Sequence, residues 1–367
     1  MRIVDVNPFF YPHKGGIEHR MHDTSRLLAG RGHDVTVLTG RLPGTEEEET
    51  APEGYRILRL ESRLIDLYNP PFISSKGVLE GIVGIDPDIV NFNYRWAPSY
   101  TRDLKKYDGR KVFTYHNMWG EGVGLQKRLS EANDNRFRGC LDTFDHIIAV
   151  SGYVKDDLVR RGYPERHVTT VPTGLSGFPE AGKGDGDFIL SLGRLVRTKG
   201  LDYLLEAMRD VDSRLVICGR GPDQKRLEKK VRKLGLEGRV EMRGWVEEDE
   251  KERLMGSCRF FVMPSLFESL GLAAIELMAH GRPIVYTDVD GLPDTVGDGG
   301  VPVPPRDPAA LSRAMNALLG DRSRTEALGG NALRRAREYS WEGLIPMIES
   351  VYERVMSGEC SSKDARG

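Results

Sequence analysis

The sequence lacks the features that mark several classes of protein. No apolar run reaches the about 18 residues of a membrane-spanning helix, so none is predicted. The start, MRIVDVNPFFYP, lacks the basic residues and long apolar block of a signal peptide, and it is predicted to form a first strand. The cysteines lie far apart without a C-x-x-C pair, which argues against a metal site or disulfide framework and favours a reducing cytoplasm. They are Cys140, Cys218, Cys258 and Cys360.

An excess of charge of one sign is also missing. The 53 Lys and Arg residues nearly balance 55 Asp and Glu residues, and the net charge of -2 argues against a nucleic-acid-binding protein, which would be strongly basic. The glycine fingerprint G-x-G-x-x-G does not follow the first predicted strand, which argues against a dinucleotide-dependent dehydrogenase. A length of 367 residues predicts two or three domains.

Short apolar segments alternate with helical segments along the chain. In the first half, the predicted strands are MRIVDV, HDVTVLTG, DIVNFN, RKVFTYH, DHIIAVS and HVTTVPT. In the second half, they are DFILSLG, RLVICG, RVEMRGWV, RFFVMPS and RPIVYT. Between the halves, GLSGFPEAGKGDGD (174–187) is rich in glycine and predicts a linker. The pattern predicts an α/β protein with two doubly wound parallel sheets of similar size.

Polar residues follow several of these predicted strands. Parallel sheets bind ligands at the carboxyl ends of their strands, and Gly15 and Gly16 follow the first strand there and precede a helix. Glycines at such a place let backbone N–H groups approach a phosphate, although a plain tight turn explains them equally well. Arg194 and Lys199 follow a later strand and could neutralise a diphosphate. A solvated loop with incidental charge is the alternative for these two cations.

The segment FESLGLAAIELMAHGRPIV contains two glutamates that need an explanation. Glu268 lies in a turn before a helix, whereas Glu276 lies within the helix among Ala, Ile, Leu and Met. A carboxylate can accept a hydrogen bond from a hydroxyl at each of its oxygens, so vicinal hydroxyls suit it well. A sugar therefore fits one glutamate and a ribose fits the other. Capping of backbone amides is a good alternative explanation for Glu268 and a poor one for Glu276.

Taken in order, these segments resemble family 4 of the retaining, nucleotide-sugar-dependent glycosyltransferases (glycosyltransferase group 1). The matching segments are GGIEHRMHDTSRLLAGRGHDVTVLT, TYHNMWG, DHIIAVSGYVKDDL, SLGRLVRTKGLDYLLEAM, VEMRGWV and MPSLFESLGLAAIELMAHGRPIVYTDVDGLPDTVGDGG. The resemblance implies the GT-B fold, with two doubly wound Rossmann-like domains facing a central cleft. Residues 1–174 would bind the acceptor, with helix 341–357 packing back onto them. Residues 175–340 would bind the nucleotide-sugar donor.

The resemblance also implies roles for single residues. Arg194 and Lys199 would hold the donor diphosphate, while Glu268 and Glu276 would bind the transferred sugar and the ribose. His116 in TYHN would lie near the transferred sugar. The expected catalytic residues are His116, Arg194, Lys199 and Glu268. The expected donor-binding residues are Gly15, Gly16, Arg194, Lys199, Arg243, Glu268, Ser269, Leu270, Gly271, Leu272 and Glu276.

The implied reaction transfers a sugar from a nucleotide-diphosphate sugar to a hydroxyl acceptor with retention of configuration. Negative charge builds on the departing diphosphate, and fixed cations and backbone dipoles aimed at it lower the barrier. Because Arg and Lys supply that charge, no metal ion or other cofactor is expected. The D-x-D segment Asp86–Asp88 precedes a predicted strand instead of following one. No side chain presents itself as a covalent nucleophile, so attack on the face of the leaving group is expected.

The acceptor stays open at this point: lipid-linked, polysaccharide and small-molecule acceptors all fit. The segment NFNYRW (91–96) lacks a histidine that is common in the family on the expected acceptor side. Residues 117–138 are polar and are expected to form a long loop. The basic segment 102–111 would either contact anionic lipid as a peripheral membrane patch or form a solvated surface. Thr173 and Leu270 replace the more usual Asn and Phe, at positions where little depends on the side chain.

Two other functions are weighed against the transferase. One is a nucleotide-sugar-binding protein that has lost turnover; the intact set of expected site residues argues against it. The other is a related two-domain enzyme, such as a nucleotide-sugar 2-epimerase or a glucan synthase, although glucan synthases carry longer first loops. The expected location is the cytoplasm or the cytoplasmic membrane face.

Overall fold

The computed structural model describes residues 1–65, 72–120, 125–179 and 185–359. Cys360, residues 180–184 of the predicted linker and residues 121–124 of the predicted loop lie outside this part of the chain. The chain divides into two compact units. The first is formed by residues 1–174 together with the chain from residue 342 onward, and the second by residues 175–341.

The first unit is built around an eight-stranded sheet. Its strands, and those of a separate two-stranded hairpin (β5 and β6), are β1 (Arg2–Val6), β2 (Asp34–Gly40), β3 (Glu48–Thr50), β4 (Arg56–Leu60), β5 (Ser62–Ile65), β6 (Phe72–Ser75), β7 (Ile89–Phe92), β8 (Lys111–Tyr115), β9 (His146–Ala149) and β10 (Val168–Thr170). Its helices before residue 174 are α1 (Gly16–Gly30), α2 (Val78–Ile85), α3 (Pro98–Leu104), α4 (Leu125–Leu141) and α5 (Gly152–Arg160).

The second unit is built around a six-stranded sheet. Its helices are α6 (Leu201–Ala207), α7 (Gln224–Lys233), α8 (Glu248–Ser257), α9 (Leu272–Ala279), α10 (Leu292–Val296), α11 (Pro308–Gly320) and α12 (Arg322–Ala336). Its strands are β11 (Phe188–Leu192), β12 (Arg214–Cys218), β13 (Val240–Gly244), β14 (Phe261–Met263), β15 (Ile284–Thr287) and β16 (Gly300–Val303). The final helix, α13 (Trp341–Ser357), follows this unit.

Both sheets have the strand order of doubly wound folds. The first runs β10-β9-β8-β7-β1-β2-β4-β3, and the second runs β13-β12-β11-β14-β15-β16. Every pairing in them is parallel except that of β3 with β4 at one edge. The strand order reverses beside β1 in one sheet and beside β11 in the other, so each sheet has a switch point where such folds bind ligands. The prediction of two doubly wound sheets is confirmed.

Buried apolar strands explain why these segments form sheets. In the second unit, Ile189, Leu215 and Ile217 from the strands are at most 1% exposed and pack in one core with residues of the flanking helices. Strands buried on both faces are rich in β-branched and other apolar residues, which is why the sequence pattern identified them. The edge strand β3 consists of exposed residues, EET, and its polar sequence gave no such signal.

The expectation of a long loop over 117–138 is wrong, because residues 125–141 form helix α4. Its buried face is formed by Asp134, Phe137 and Leu141, which are at most 2% exposed and recur at helical spacing. Asp134 accepts a hydrogen bond from buried Arg95 at 2.5 Å and one from the Gly120 amide at 2.8 Å. The polar composition of the segment concealed a helix whose inward side chains include a buried ion pair.

One residue of the basic segment 102–111 cannot contribute to a surface patch. Lys111 is 5% exposed, and its Nζ donates to the carbonyl oxygens of Leu104 at 3.0 Å and Tyr107 at 2.7 Å. Burial lowers the pKa of the Lys111 ammonium. Arg102 is directed to the neighbouring carboxylate of Asp103 at 2.9 Å.

Helix α13 contacts the first unit through polar side chains. Glu349 accepts a hydrogen bond from Arg31 Nε at 2.8 Å and lies 2.9 Å from His33 Nε2. Arg354 donates to Thr169 Oγ1 at 3.0 Å. Across the described residues, none of the helices combines the length and the apolar character needed to cross a membrane.

Candidate functional site

Several of the residues expected to bind ligands follow the strands that flank the two switch points. In the first unit, Gly15 and Gly16 follow β1, and the chain after its neighbour β7 carries Asn93. In the second unit, Arg194 follows β11, and Glu268 follows the neighbouring strand β14. The carboxyl ends of adjacent parallel strands meet at one edge of a sheet, so each pair of loops is brought together by the topology.

Arg194 and Lys199 belong to one loop that ends in a short 3-10 turn, Arg197–Lys199. Both residues line a single pocket with Gly193, Pro264 and Ser265. Arg194 is exposed and Lys199 is half-buried. The structure therefore brings the two expected phosphate-binding cations together in the second unit.

Lys199 is held against Glu268 by contacts between the two loops. Its Nζ lies 2.5 Å from Glu268 Oε2, and the two side chains are 23% and 14% exposed. The Leu266 amide donates to the Thr198 carbonyl at 2.7 Å, which joins the loops through their backbones. A Cβ atom at Gly200, where φ is +63°, would lie 1.9 Å from the Pro264 carbonyl oxygen. Only glycine allows this close approach, because both the space and the left-handed backbone require it.

The turn that carries Glu268 is fastened to the segment before and within α10. The Glu268 amide donates to Asp290 Oδ2 at 3.1 Å, and Thr295 Oγ1 donates to the Leu270 carbonyl at 2.6 Å. Gly271 caps α9 with φ +84°, and a Cβ atom there would meet Leu292 Cδ2 at 2.8 Å. Helix α9 starts at Leu272, and the first N–H groups of any helix have no partner within it. A Cβ atom at Gly271 would also lie 3.5 Å from Glu268 Cγ, so the start of α9 lies close to the Glu268 side chain.

Glu276 lies on α9, one turn after Leu272, and is paired with a lysine of α8. Lys251 Nζ lies 3.1 Å from Glu276 Oε2 and 3.1 Å from Glu248 Oε1. The Lys251 and Glu276 side chains are 18% and 20% exposed. Burial works to lower the pKa of the Lys251 ammonium, but the carboxylates of Glu276 and Glu248 outweigh it, and the pKa is raised. A cation thus fixes the position of the Glu276 carboxylate.

Arg243 lies at the end of β13, at the same edge of the sheet as Arg194. The Gly219 amide after β12 donates to the Gly244 carbonyl at 2.7 Å, which aligns the two strand ends. The guanidinium of Arg243 pairs with Glu241 at 2.6 Å and with Glu250. The hydrogen bond that Arg243 Nε donates to Glu241 Oε1 is the first cause of the raised pKa of the Arg243 guanidinium. Its charge is therefore shared with two carboxylates of its own unit.

Gly15 and Gly16 form the N-terminus of α1, with Gly15 as the cap. A Cβ atom at Gly15 would lie 2.4 Å from Glu18 Oε2, whereas one at Gly16 would meet no atom within 4 Å. Glu18 is 6% exposed, and burial raises the pKa of its carboxyl to about 7. The room at Gly15 is thus needed by Glu18, while Gly16 leaves open space in front of the helix.

His116 directly follows β8, and its Nε2 lies 3.0 Å from Asn93 Oδ1. Burial lowers the pKa of its imidazole well below the ordinary value, and the charges of Arg20 and Arg95 lower it further. The ring is therefore neutral at neutral pH. Arg20 also donates to Thr173 Oγ1 at 3.3 Å, so the threonine that replaces the usual asparagine makes a buried contact within the first unit.

Sequence reasoning missed several residues that contact the expected site. Asp5 and Asn93 lie behind His116, Lys251 holds Glu276, and Asp290 holds the turn of Glu268. A carboxylate within the apolar strand RIVDV was a signal that could have identified Asp5. Lys251 lies in the strongly charged segment EEDEKERL, where nothing distinguishes it from its neighbours.

Two family models and several known proteins match this chain. Residues 14–176 match the model of Glycosyltransferase Family 4, and residues 178–335 match that of Glycosyl transferases group 1. The chain is 32% identical over 377 residues to an uncharacterised glycosyltransferase of Methanocaldococcus jannaschii, covering 93% of this chain and 95% of the relative. It is 29% identical to the phosphatidyl-myo-inositol mannosyltransferase of Mycobacterium leprae, with 97% of each chain covered.

A solved structure gives the same picture of the fold. Sucrose-phosphate synthase from Thermosynechococcus elongatus superimposes with a TM-score of 0.83 at 22% identity, covering 97% of this chain and 99% of that one. The chain belongs to the family 4, group 1 glycosyltransferases, and its two doubly wound units have the GT-B fold. It is therefore an enzyme that transfers a sugar from a nucleotide sugar.

Proposed function

We propose that this glycosyltransferase works with retention of configuration, without a metal ion, and by attack on the face of the sugar that carries the leaving group. The observation that carries the proposal is the convergence of Arg194, Lys199 and Glu268 at the switch point of the second unit. Two cations stand where a diphosphate would leave, and a carboxylate beside them can accept hydrogen bonds from sugar hydroxyls.

Each donor-site residue has a distinct task in this proposal. Arg194 binds the diphosphate through its planar fork of donors, and Lys199 acts as a point charge. Glu268 accepts hydrogen bonds from the sugar, and Glu276 accepts them from the ribose. Backbone amides at the start of α9 add donors for the phosphate, as helix N-termini do for anions. These amides belong to Ser269, Leu270, Gly271 and Leu272.

The proposed transfer needs only the donor and the acceptor as reactants. The bond between the anomeric carbon and the phosphate oxygen breaks, and a bond forms between that carbon and the acceptor oxygen. The acceptor proton passes to the departing phosphate oxygen. Positive charge on Arg194 and Lys199 stabilises the negative charge that this oxygen develops, so no metal ion is required. Within the described residues, no cluster of His, Cys, Asp or Glu is arranged to hold a metal ion.

The first unit is proposed to bind the acceptor, with His116 near the transferred sugar. The name of the mycobacterial relative describes transfer of mannose to a phosphatidylinositol. A lipid-linked acceptor is therefore the first class to test, followed by oligosaccharides. The contributions of Gly15, Gly16 and Arg243 to donor binding stay predictions. Peripheral attachment to the cytoplasmic membrane face belongs to the same proposal.

The test starts with the donor. UDP-, GDP-, ADP- and dTDP-sugars are titrated by calorimetry in the presence of EDTA against the wild type, Glu276→Gln and the control Glu252→Gln. Glu252 lies on α8 and contacts His280 at 3.1 Å, so it carries a matched charge next to the site. We expect one nucleotide sugar to bind, with affinity lost in Glu276→Gln and kept in the control.

Transfer and stereochemistry are then followed by NMR with the bound donor and a panel of lipid and saccharide acceptors. Retention of the anomeric configuration with EDTA present supports the proposal. Inversion, or transfer that needs an added divalent ion, contradicts it. Binding without any turnover would favour a silent nucleotide-sugar-binding protein. Release of an epimerised sugar without an acceptor would favour an epimerase.

A further inference from the structure

A branched chain of polar side chains lies behind His116 in the first unit. Asp5 Oδ1, on β1, accepts a hydrogen bond from Asn91 Nδ2 at 2.8 Å and another from Asn93 Nδ2 at 2.6 Å. Asn91 Oδ1 accepts from Thr114 Oγ1 at 2.8 Å, and Asn93 Oδ1 lies 3.0 Å from His116 Nε2. Asp5, both asparagines and Thr114 are at most 5% exposed.

The carboxylate of Asp5 determines the direction of every hydrogen bond in this group of side chains. An ionised carboxylate only accepts, so both asparagines must turn their NH₂ groups toward Asp5. Their carbonyl oxygens then face outward and accept in turn. Thr114 supplies a hydroxyl proton to Asn91, and the partner of Asn93 must supply an N–H. That partner is His116 Nε2, which therefore carries the ring proton, while Nδ1 keeps the lone pair.

We propose that Asp5 and Asn93 are positioning residues that hold His116 as the neutral Nε2–H tautomer with its ring fixed at the carboxyl end of β8. This inference rests on the proposed function, in which His116 lies near the transferred sugar. It makes His116 a residue that can accept a hydrogen bond at Nδ1 but does not donate a proton to the leaving group.

The surrounding charges are consistent with this arrangement. Burial raises the pKa of the Asp5 carboxyl to about 6, while Asn93, Asn91 and the positive charge of Arg20 act to lower it. Asp5 is therefore ionised at pH 7.5, the state in which it only accepts. Arg20 of α1 and Tyr352 of α13 both interact electrostatically with Asp5, and they also interact electrostatically with each other. Arg20 and Arg95 disfavour a proton on His116.

The tautomer can be read directly by NMR. The whole protein, labelled with ¹⁵N in its eight histidines, is studied at pH 7.5 in long-range ¹H–¹⁵N spectra, with His116→Gln to assign the signal. We expect the wild-type ring to carry its proton on Nε2. Asn93→Leu removes the acceptor and should give a mixture of tautomers. Asn93→Asp keeps an oxygen at the same place, and a proton shared by the two carboxyl groups replaces the N–H lost toward Asp5, so the ring should keep the Nε2–H form. The His146 signal reports that the first unit remains folded.

Rates separate positioning from a purely structural role. For Asn93→Leu, we expect kcat to fall about 10-fold with the KM for the donor changed by less than about 3-fold, since a buried hydrogen bond to the ring is lost. Asn93→Asp should restore most of kcat. A wild-type ring protonated on Nδ1 overturns the inference, as does an unchanged tautomer in folded Asn93→Leu. If Asn93→Leu does not fold, the tautomer of His116 in the wild-type and Asn93→Asp spectra tests the inference instead. An Nε2–H ring in a protein that transfers no sugar refutes the proposed function alone.

Discussion

Replacement of Lys199 by methionine tests the proposed donor site most directly. The side chain keeps its length and apolar body but loses the ammonium that lies 2.5 Å from Glu268 Oε2. Loss of one preorganised group that stabilises developing negative charge costs roughly 100- to 1000-fold in rate. That factor corresponds to about 3–4 kcal/mol of transition-state stabilisation. We therefore expect kcat to fall by this factor in Lys199→Met.

The matched control comes from the same short turn. Arg197 is 58% exposed and lies 3.4 Å from Asp223, so its charge is directed away from Glu268. Exposed ion pairs contribute little, and Arg197→Met should leave kcat/KM within about 2-fold of the wild type. The assay is initial-rate kinetics with the donor identified by calorimetry. A Lys199→Met enzyme whose kcat stays within about 10-fold of the wild type would refute the assignment of Lys199 to the leaving group.

Stability must be separated from rate in this experiment. Without Lys199, the 14% exposed carboxylate of Glu268 has lost its cation, and an unpaired, largely buried polar group costs about 1–3 kcal/mol. The double variant Lys199→Met/Glu268→Gln should recover most of the unfolding free energy but none of the rate. Recovery of the rate in the double variant would mean that Lys199 merely neutralises Glu268.

Three further predictions follow from the geometry. Lys251→Met should raise the KM for the donor about 10-fold with kcat nearly unchanged, because Glu276 loses its orienting cation; unchanged initial-rate kinetics would contradict this. Gly271→Ala should destabilise the protein by about 1–2 kcal/mol in thermal unfolding, because it strains a left-handed backbone and meets Leu292, whereas Gly238→Ala, in open space, should be near neutral. Glu18, whose pKa is raised to about 7 by burial, favours folding at low pH and loses that contribution as the pH rises from 4.5 to 7. Glu18→Gln should therefore gain up to about 3 kcal/mol over the wild type between pH 5 and pH 8, and equal pH dependence in urea unfolding would contradict the assignment.

The sequence was sufficient for the parts of the fold that local patterns determine. Buried strands such as β1 and β11 are mostly apolar, and a helix was predicted directly after the glycine pair Gly15–Gly16, where α1 is found. Elements with mixed composition were missed, among them α4 and the exposed edge strand β3. Helix α4 buries Asp134 against Arg95, and a charge compensated by a residue 39 positions away cannot be distinguished locally from a surface charge.

The candidate site shows the same division. Arg194 and Lys199 were identified because they follow a strand and stand close together in the chain. Contacts between distant parts of the chain could not be predicted in this way. Lys199 contacts a carboxylate 69 positions away, and Asn93 contacts a histidine 23 positions away. Family resemblance supplied the roles expected of Glu268 and Glu276, which stay predictions, but it did not indicate that each carboxylate is paired with a lysine.

These two ion pairs affect how a donor can bind. Lys199 has three N–H donors, and the contact with Glu268 uses one of them, so two remain for phosphate oxygens. In the proposed donor complex, a diphosphate would therefore add to the existing pair instead of displacing it, and Oε1 of Glu268 would be the oxygen offered to a sugar hydroxyl. The same reasoning applies to Glu276, because Lys251 contacts Oε2, and Oε1 would be the oxygen offered to the ribose in the proposed complex. The lysines thus hold both glutamates in fixed positions without a donor, which would reduce the reorganisation that binding at the proposed donor site requires.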